Sequence, residues 1–425
     1  MVRSPLVFYN PTFPPAGLRA SPGTSRGMLR PPTMENAKRN VALLAGCQAM
    51  LFVNNVTMFS VAALAGYYLA DNKALATLTS TSYVVGAALC MLPASFFMKR
   101  YGRRAGFQFG TSMGIIGAVL SCVAMWLHSF WLLCFAILVL GAYNAFGQYY
   151  RFAAADTASR DFKAKAISLV MASSIVGGII GPELSKYTKD MFTIPFLGAY
   201  ASLILFCLVT MGLLAFIRIP PPSEAERHEP ARALTAVMAQ PAFIVAVMGS
   251  AIGYGIMSLL MTATPLAMTF CGHPYNAAAF VIQWHVIGMF APSFFTGSLI
   301  KRYGVLNIMF CGVLLEGASV AAALSGLQLA HFWWALVLLG VGWNFLYIGG
   351  TTLLTECYRP SEKAKAQGTH DFLVFVTTAT SSFSSGLLIN RSGWEMLNYA
   401  ALPFLALIGA AIIWLLLRTR PAVAA

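Results

Sequence analysis

Charge is what this 425-residue chain has least of: only 10% of its residues are Asp, Glu, Lys or Arg, and the 14 acids are half as many as the 28 bases. Combined with 58% hydrophobic residues and a mean hydropathy of +0.71, that scarcity excludes a water-soluble domain and implies a polytopic membrane protein. Also missing are a G-x-S-x-G elbow, a phosphate-cradling glycine loop and an H-E-x-x-H pair. The hydrophilic stretches are too short to fold alone, so neither an enzyme nor an ATP-driven machine is expected, and no prosthetic group. The eight cysteines show no C-x-x-C or other paired spacing, which argues against a disulfide framework.

The basic residues that are present are placed unevenly. Twenty of the 28 fall on alternate loops, at Lys38-Arg39, Lys99 to Arg104, Arg151 to Lys165, Arg218 to Arg232, Lys301-Arg302, Arg359 to Lys365 and Arg418 to Arg420. The intervening loops hold only Lys73, Lys186, Lys189 and Arg391. Cationic loops stay on the cytoplasmic side of a bilayer, so both termini are expected inside, and the net charge of +14 reflects topology rather than nucleic-acid binding. Residues 1–33 carry seven prolines, four arginines and no acid, which reads as a disordered leader or an upstream extension of a chain starting at Met34.

Twelve apolar runs of helical length lie near 41–66, 75–97, 105–127, 129–150, 164–184, 195–217, 241–268, 276–299, 305–327, 332–355, 366–388 and 396–417. A backbone in lipid must satisfy its own hydrogen bonds, so all twelve are expected to be helices. The fold class is all-α. A polar linker over 218–240, with Pro220-Pro221-Pro222 and a charged run, separates six-helix halves at 34–217 and 241–420. Lys99-Arg-Tyr-Gly102 recurs as Lys301-Arg-Tyr-Gly304, and Lys163-Ala-Lys-Ala166 as Lys363-Ala-Lys-Ala366, offsets of 202 and 200 residues that mark duplicated halves.

Two pairs carry possible chemistry. Met257 and Met261 on the seventh run, and His285 and Met289 on the eighth, are each four apart, so each pair shares a helix face. Thioether and neutral imidazole suit copper, especially Cu(I). The short turn Cys271-Gly-His-Pro-Tyr275 predicts adjacent antiparallel helices with the pairs about 15 Å below it, near mid-bilayer. Pro265 leaves the Met261 carbonyl without its helical donor and predicts a kink there. Cys47, Met50, Met58, Met268 and Cys271 are weaker members of a metal path. His370 and Asp371, with Asp156 closing the fourth run beside Arg151, are candidates for a gate or proton route.

Over residues 35 to 420 the chain resembles the major facilitator superfamily. Its loop signature G-x-x-x-D-R-x-G-R-R stands here as Ser95-Phe-Phe-Met-Lys99-Arg100-Tyr101-Gly102-Arg103-Arg104, and Gly177-Gly-Ile-Ile-Gly181-Pro182-Glu183 looks like its antiporter motif. The basic residue that antiporters carry in the fourth run is missing, which demotes drug/proton antiport. With both ligand pairs present, the chain is similar to the CcoA-like copper importers of bacteria. That resemblance implies copper binding by Met257, Met261, His285 and Met289. It also implies import across the inner membrane to supply cbb3-type cytochrome c oxidase, a cytoplasmic copper chaperone or exporter as partner, and a monomer in the lipid bilayer. The same branch contains a riboflavin importer. An organic-solute importer of that kind is the alternative, its ring stacked by aromatics such as Trp284, Trp334, Trp343 and Tyr347.

Overall fold

The structure, a computed structural model, describes residues 34–72, 75, 78–219 and 230–419. The expected leader, Lys73, most of the linker's charged run and Arg420 lie outside the described residues. Eleven described helices are long and apolar enough to cross a membrane, and a bent pair makes a twelfth span. They are α1 (Asn36–Leu69), α2 (Leu78–Tyr101), α3 (Arg103–Trp126), α4 (Phe130–Thr157), α5 (Arg160–Thr188) and α6 (Leu197–Ala215). A second set follows as α7 (Pro241–Phe270), α8 (Ala277–Phe290 with Ser293–Tyr303), α9 (Val305–Leu324), α10 (Leu329–Leu354), α11 (Pro360–Ile389) and α12 (Arg391–Thr419).

Packing within each set is close. In the first, α1 lies against α5 and α6, and α4 against α2 and α3; in the second, α7 lies against α10 and α11, and α10 against α8 and α9. Glycine makes the tightest crossings possible. A Cβ at Gly141 would sit 2.3 Å from the Tyr83 carbonyl oxygen, and one at Gly340 2.7 Å from that of His285. The repeated Lys-Arg-Tyr-Gly turns end on glycine for a different reason: Gly102 and Gly304 have φ of +91° and +86°, where a side chain is strained.

One expectation about the hairpin is corrected. α7 and α8 are joined by a short turn, but α10 packs along both of them, so they are not a close antiparallel pair. α7 is one continuous helix with Pro265 inside it. A break falls in α8, bent by 40° between Phe290 and Ser293, where Pro292 has no N–H to give.

Asn344 of α10 repairs that break. Its Nδ2 donates to the freed Met289 carbonyl at 2.6 Å and to Ser293 Oγ at 2.5 Å, and its Oδ1 accepts from Thr296 Oγ1 at 2.7 Å. In lipid an unsatisfied carbonyl is costly, so one fully buried side chain sustains the bend. Asn344→Ala is expected to destabilise the protein by about 1–3 kcal/mol, the cost of stranding these groups, read as a lower melting temperature in detergent; an unchanged midpoint would show that the bend sustains itself.

Candidate functional site

The two helix sets touch along two seams, α2 with α11 and α5 with α8; the second continues past the bend of α8, where a Cβ at Gly178 would stand 2.5 Å from Val286 Cγ1. Their contacts are related by the internal repeat. Lys99 Nζ donates to the Ser361 carbonyl at 3.0 Å, and the repeat-related Lys301 reaches Asp161 at 3.5 Å. Ser95 Oγ donates to the Ala364 carbonyl at 2.7 Å, while at the related position Gly297 lies so close to Ala164 that a Cβ would stand 2.6 Å from its carbonyl oxygen.

Charge breaks this symmetry on the α2–α11 side. Arg103 binds Asp156 at 3.0 Å and Gln367 Oε1 at 2.5 Å, and Lys363 from the other set also binds Asp156, at 3.4 Å. Deeper in, Arg151 of α4 meets Asp371 of α11 at 2.6 Å with both side chains 2% exposed. The Nδ1–H of His370 donates to the same Asp371 oxygen at 2.8 Å. The Arg151 guanidinium lies over the rings of Phe152 and Tyr347, at 4.6 and 4.9 Å. A buried charge pair needs this many partners to offset its desolvation. On the linker side, Arg232 grips the buried Glu362 through Nε at 2.7 Å and Nη2 at 2.6 Å, and these bonds raise its pKa further.

Above the Arg151–Asp371 pair two unlike walls face each other. From the first set, Asn144, Gln148 and Arg151 follow one face of α4. Arg151 donates to Gln148 Oε1 at 3.1 Å, Gln148 to Asn144 Oδ1 at 3.1 Å, Asn55 Nδ2 to the same oxygen at 3.0 Å, and the Tyr83 hydroxyl to Asn55 Oδ1. From the second set come aromatic rings: Trp343 and Tyr347 stack at 5.1 Å, with Tyr254 edge-on to both and Phe290 edge-on to Trp343. Phe52 of α1 meets Phe290 at 4.8 Å across the gap. Asn55, Gln148 and Tyr254 keep partial exposure where the walls meet.

The four residues grouped as copper ligands lie against this aromatic side. Met257, Met289 and His285 are buried and Met261 is half-buried. His285 gives its Nδ1–H to the Leu336 carbonyl of α10 at 2.7 Å, leaving Nε2 without a partner. Among the described residues no group of three or more His, Cys, Asp or Glu could hold a metal ion. Cys47, Met58 and Met268 are buried in apolar packing, Met50 is half-buried and Cys271 is exposed at the turn. Of the four aromatics singled out, Trp343 and Tyr347 are buried in the aromatic wall. Trp284 and Trp334, 38% and 53% exposed, pair instead with Trp333.

Sequence reasoning passed over Asn55, Asn144, Tyr254 and Glu316. A signal existed for Asn144: Tyr143-Asn144 recurs as Trp343-Asn344 at the offset of 200 residues, a polar residue in each otherwise apolar run.

Comparison with known proteins bears on what such walls would hold. The family model of the Major Facilitator Superfamily matches residues 43–291 and 252–425. A riboflavin transporter of Brucella anthropi is 40% identical over 390 residues, 91% of this chain and 97% of that protein. Among solved structures, a proton:xylose symporter superposes with a TM-score of 0.74 at 10% identity, over 91% of this chain and 96% of its own. A fucose transporter, FucP, in its outward conformation gives 0.71 at 14% identity, over 89% and 99%.

Asp371→Leu leaves Arg151 buried without a counter-charge and is expected to cost about 3–5 kcal/mol, most of it regained in the double change Arg151→Leu/Asp371→Leu. Thermal unfolding of the purified variants checks this, and a double variant no more stable than the single one would contradict it.

Proposed function

The chain belongs to the Major Facilitator Superfamily, a family of secondary transporters, and from that premise we propose that it imports riboflavin across the bacterial inner membrane. The observation that carries the reading is the pairing of walls. A stacked aromatic face opposes a row of carboxamides and a phenol, in a chain 40% identical to a riboflavin transporter over nearly its whole length. Riboflavin has a flat ring with hydrogen-bonding edges and no net charge. The half-buried Tyr254 offers surface to stack the ring, backed by the buried Trp343 and Phe290, and the half-buried Asn55 and Gln148 offer donors and acceptors to its edge. Arg151 adds no net charge to the cavity, because Asp371 balances it.

In this reading the basic end is cytoplasmic, consistent with its share of the Lys and Arg residues. The seams through Arg103–Asp156–Lys363 and Arg151–Asp371 form the inner gate, closed here, with His370 steadying Asp371. Flavin enters from the opposite end, and the halves swing apart on the charged side to open the gate.

One observation favours a second cargo. His285 Nε2 is fully buried and unpartnered, one turn from Met289, and a soft cation such as Cu(I) would satisfy it. The two readings separate cleanly. For riboflavin, uptake of labelled flavin by a flavin-auxotrophic host is expected to exceed the empty vector. Tyr254→Leu should weaken apparent affinity about three- to tenfold, the worth of one aromatic contact, while His285→Ala leaves flavin uptake in place. Copper uptake abolished by both Met261→Ala and His285→Ala, with no flavin uptake in the wild type, would overturn the flavin reading.

A further inference from the structure

One ionisable group has no place in the cavity or the gate. Glu316 sits in the middle of α9, fully buried, and neither carboxylate oxygen has a hydrogen-bond partner. It lies where α9 and α10 cross backbone to backbone. A Cβ at Gly342 would stand 2.7 Å from Glu316 Cγ, and one at Gly312 2.9 Å from the Gly342 carbonyl oxygen. Among the described residues every other fully buried acid is matched to a cation: Asp371 to Arg151, and Glu362 to Arg232.

No counter-charge comes from the elements packed around it. α8, which also packs on α9, carries Lys301 and Arg302 only in its last turn before Gly304, and its His285 is bonded to the Leu336 carbonyl; α7 has no charged residue or histidine. The one histidine of α10, His331, is packed against Gly326 in the turn at the helix end. On α12, Arg391 and Glu395 flank Trp394, whose indole N–H reaches Ala323, two turns from Glu316, and Arg418 stands at the other end. The ionisable residues of α11, from Glu362 to Asp371, all lie in its basic-end portion. An ionised carboxylate stranded there would cost several kcal/mol, whereas the neutral acid does not carry that burden.

We propose that Glu316 is the proton-binding group that couples transport to the proton gradient. With the basic end locked, Glu316 holds one proton; this is the loaded form of a symporter before release. The adjoining residue Trp343 is part of the ligand wall, so movement of α10 as the gate opens is felt directly at the Gly312–Gly342 crossing. Loosening of that crossing admits water from the basic end. The acid O–H bond then breaks, the proton passes to water, and the carboxylate is protonated again from the opposite side when the crossing closes. One proton enters per flavin.

The flavin probe rests on the proposed function, so the experiment has an arm that does not. In proteoliposomes, the wild type is expected to accumulate riboflavin about tenfold per unit of inward pH gradient for one proton. Glu316→Gln, which mimics the neutral acid, should exchange riboflavin at the wild-type rate yet lose both that accumulation and the proton influx that riboflavin triggers. A purely structural acid would predict that exchange and accumulation are kept together or lost together, and either outcome would overturn the proposal. Independently of any cargo, a hydrophobic carbodiimide, which attacks protonated carboxyls in apolar surroundings, should label Glu316 in the purified wild-type protein. Absence of that adduct also overturns it. Labelling at Glu316 in a protein that moves no riboflavin would instead defeat the flavin reading and leave the proton site standing.

Discussion

An arginine cannot stay inside an apolar bundle without a counter-charge, and the arrangement of this protein around Arg151 follows from that constraint. Asp371 must come to it from the other helix set, which brings α4 and α11 together. Tyr347 and Phe152 then cover the two charges with aromatic faces. Gln148 takes one of the guanidinium donors and passes the hydrogen bonding on to Asn144 and Asn55. The polar row is thus continuous with the ion pair beneath it, so a displacement of one is felt by the other.

The second organising fact is duplication. Two copies of one six-helix plan meet so that the second span of each touches the fifth span of the other. Selection has kept the geometry of both seams and changed the chemistry of one. Asp371 and Arg151 have Met171 and Thr351 at the positions related by the repeat offset, so only one seam carries a buried charge pair.

Much of this could be read from residues alone, and what could not has a physical reason. The twelve spans follow from hydropathy, the two sets from the offsets, and the turns from a glycine that only a positive φ requires. Arg151, His370 and Asp371 stood out because charge is rare in such runs; their partnership across 220 residues was not legible. The hairpin was misread for a related reason: a short turn says which helices are neighbours in sequence, not whether a third, α10, packs along both. Asn55 and Tyr254 escaped notice because one asparagine or tyrosine in an apolar run signals nothing until its neighbours in space are known. Glu316 was more conspicuous, the single charged residue of α9, but an acid without a partner leaves no spacing to recognise.

The inequality of the two seams has a mechanical meaning. Where α5 meets α8, Ser168 Oγ and Gly297 bring backbones into direct contact, a joint of small groups that can turn with little loss of bonding. Where α2 and α4 meet α11, separation breaks several charged bonds at once. A body fastened like this does not open evenly. It swings as a door does, with the small-residue seam as its hinge and the charged seam as its latch, so the axis of motion runs along one side of the protein rather than through its centre.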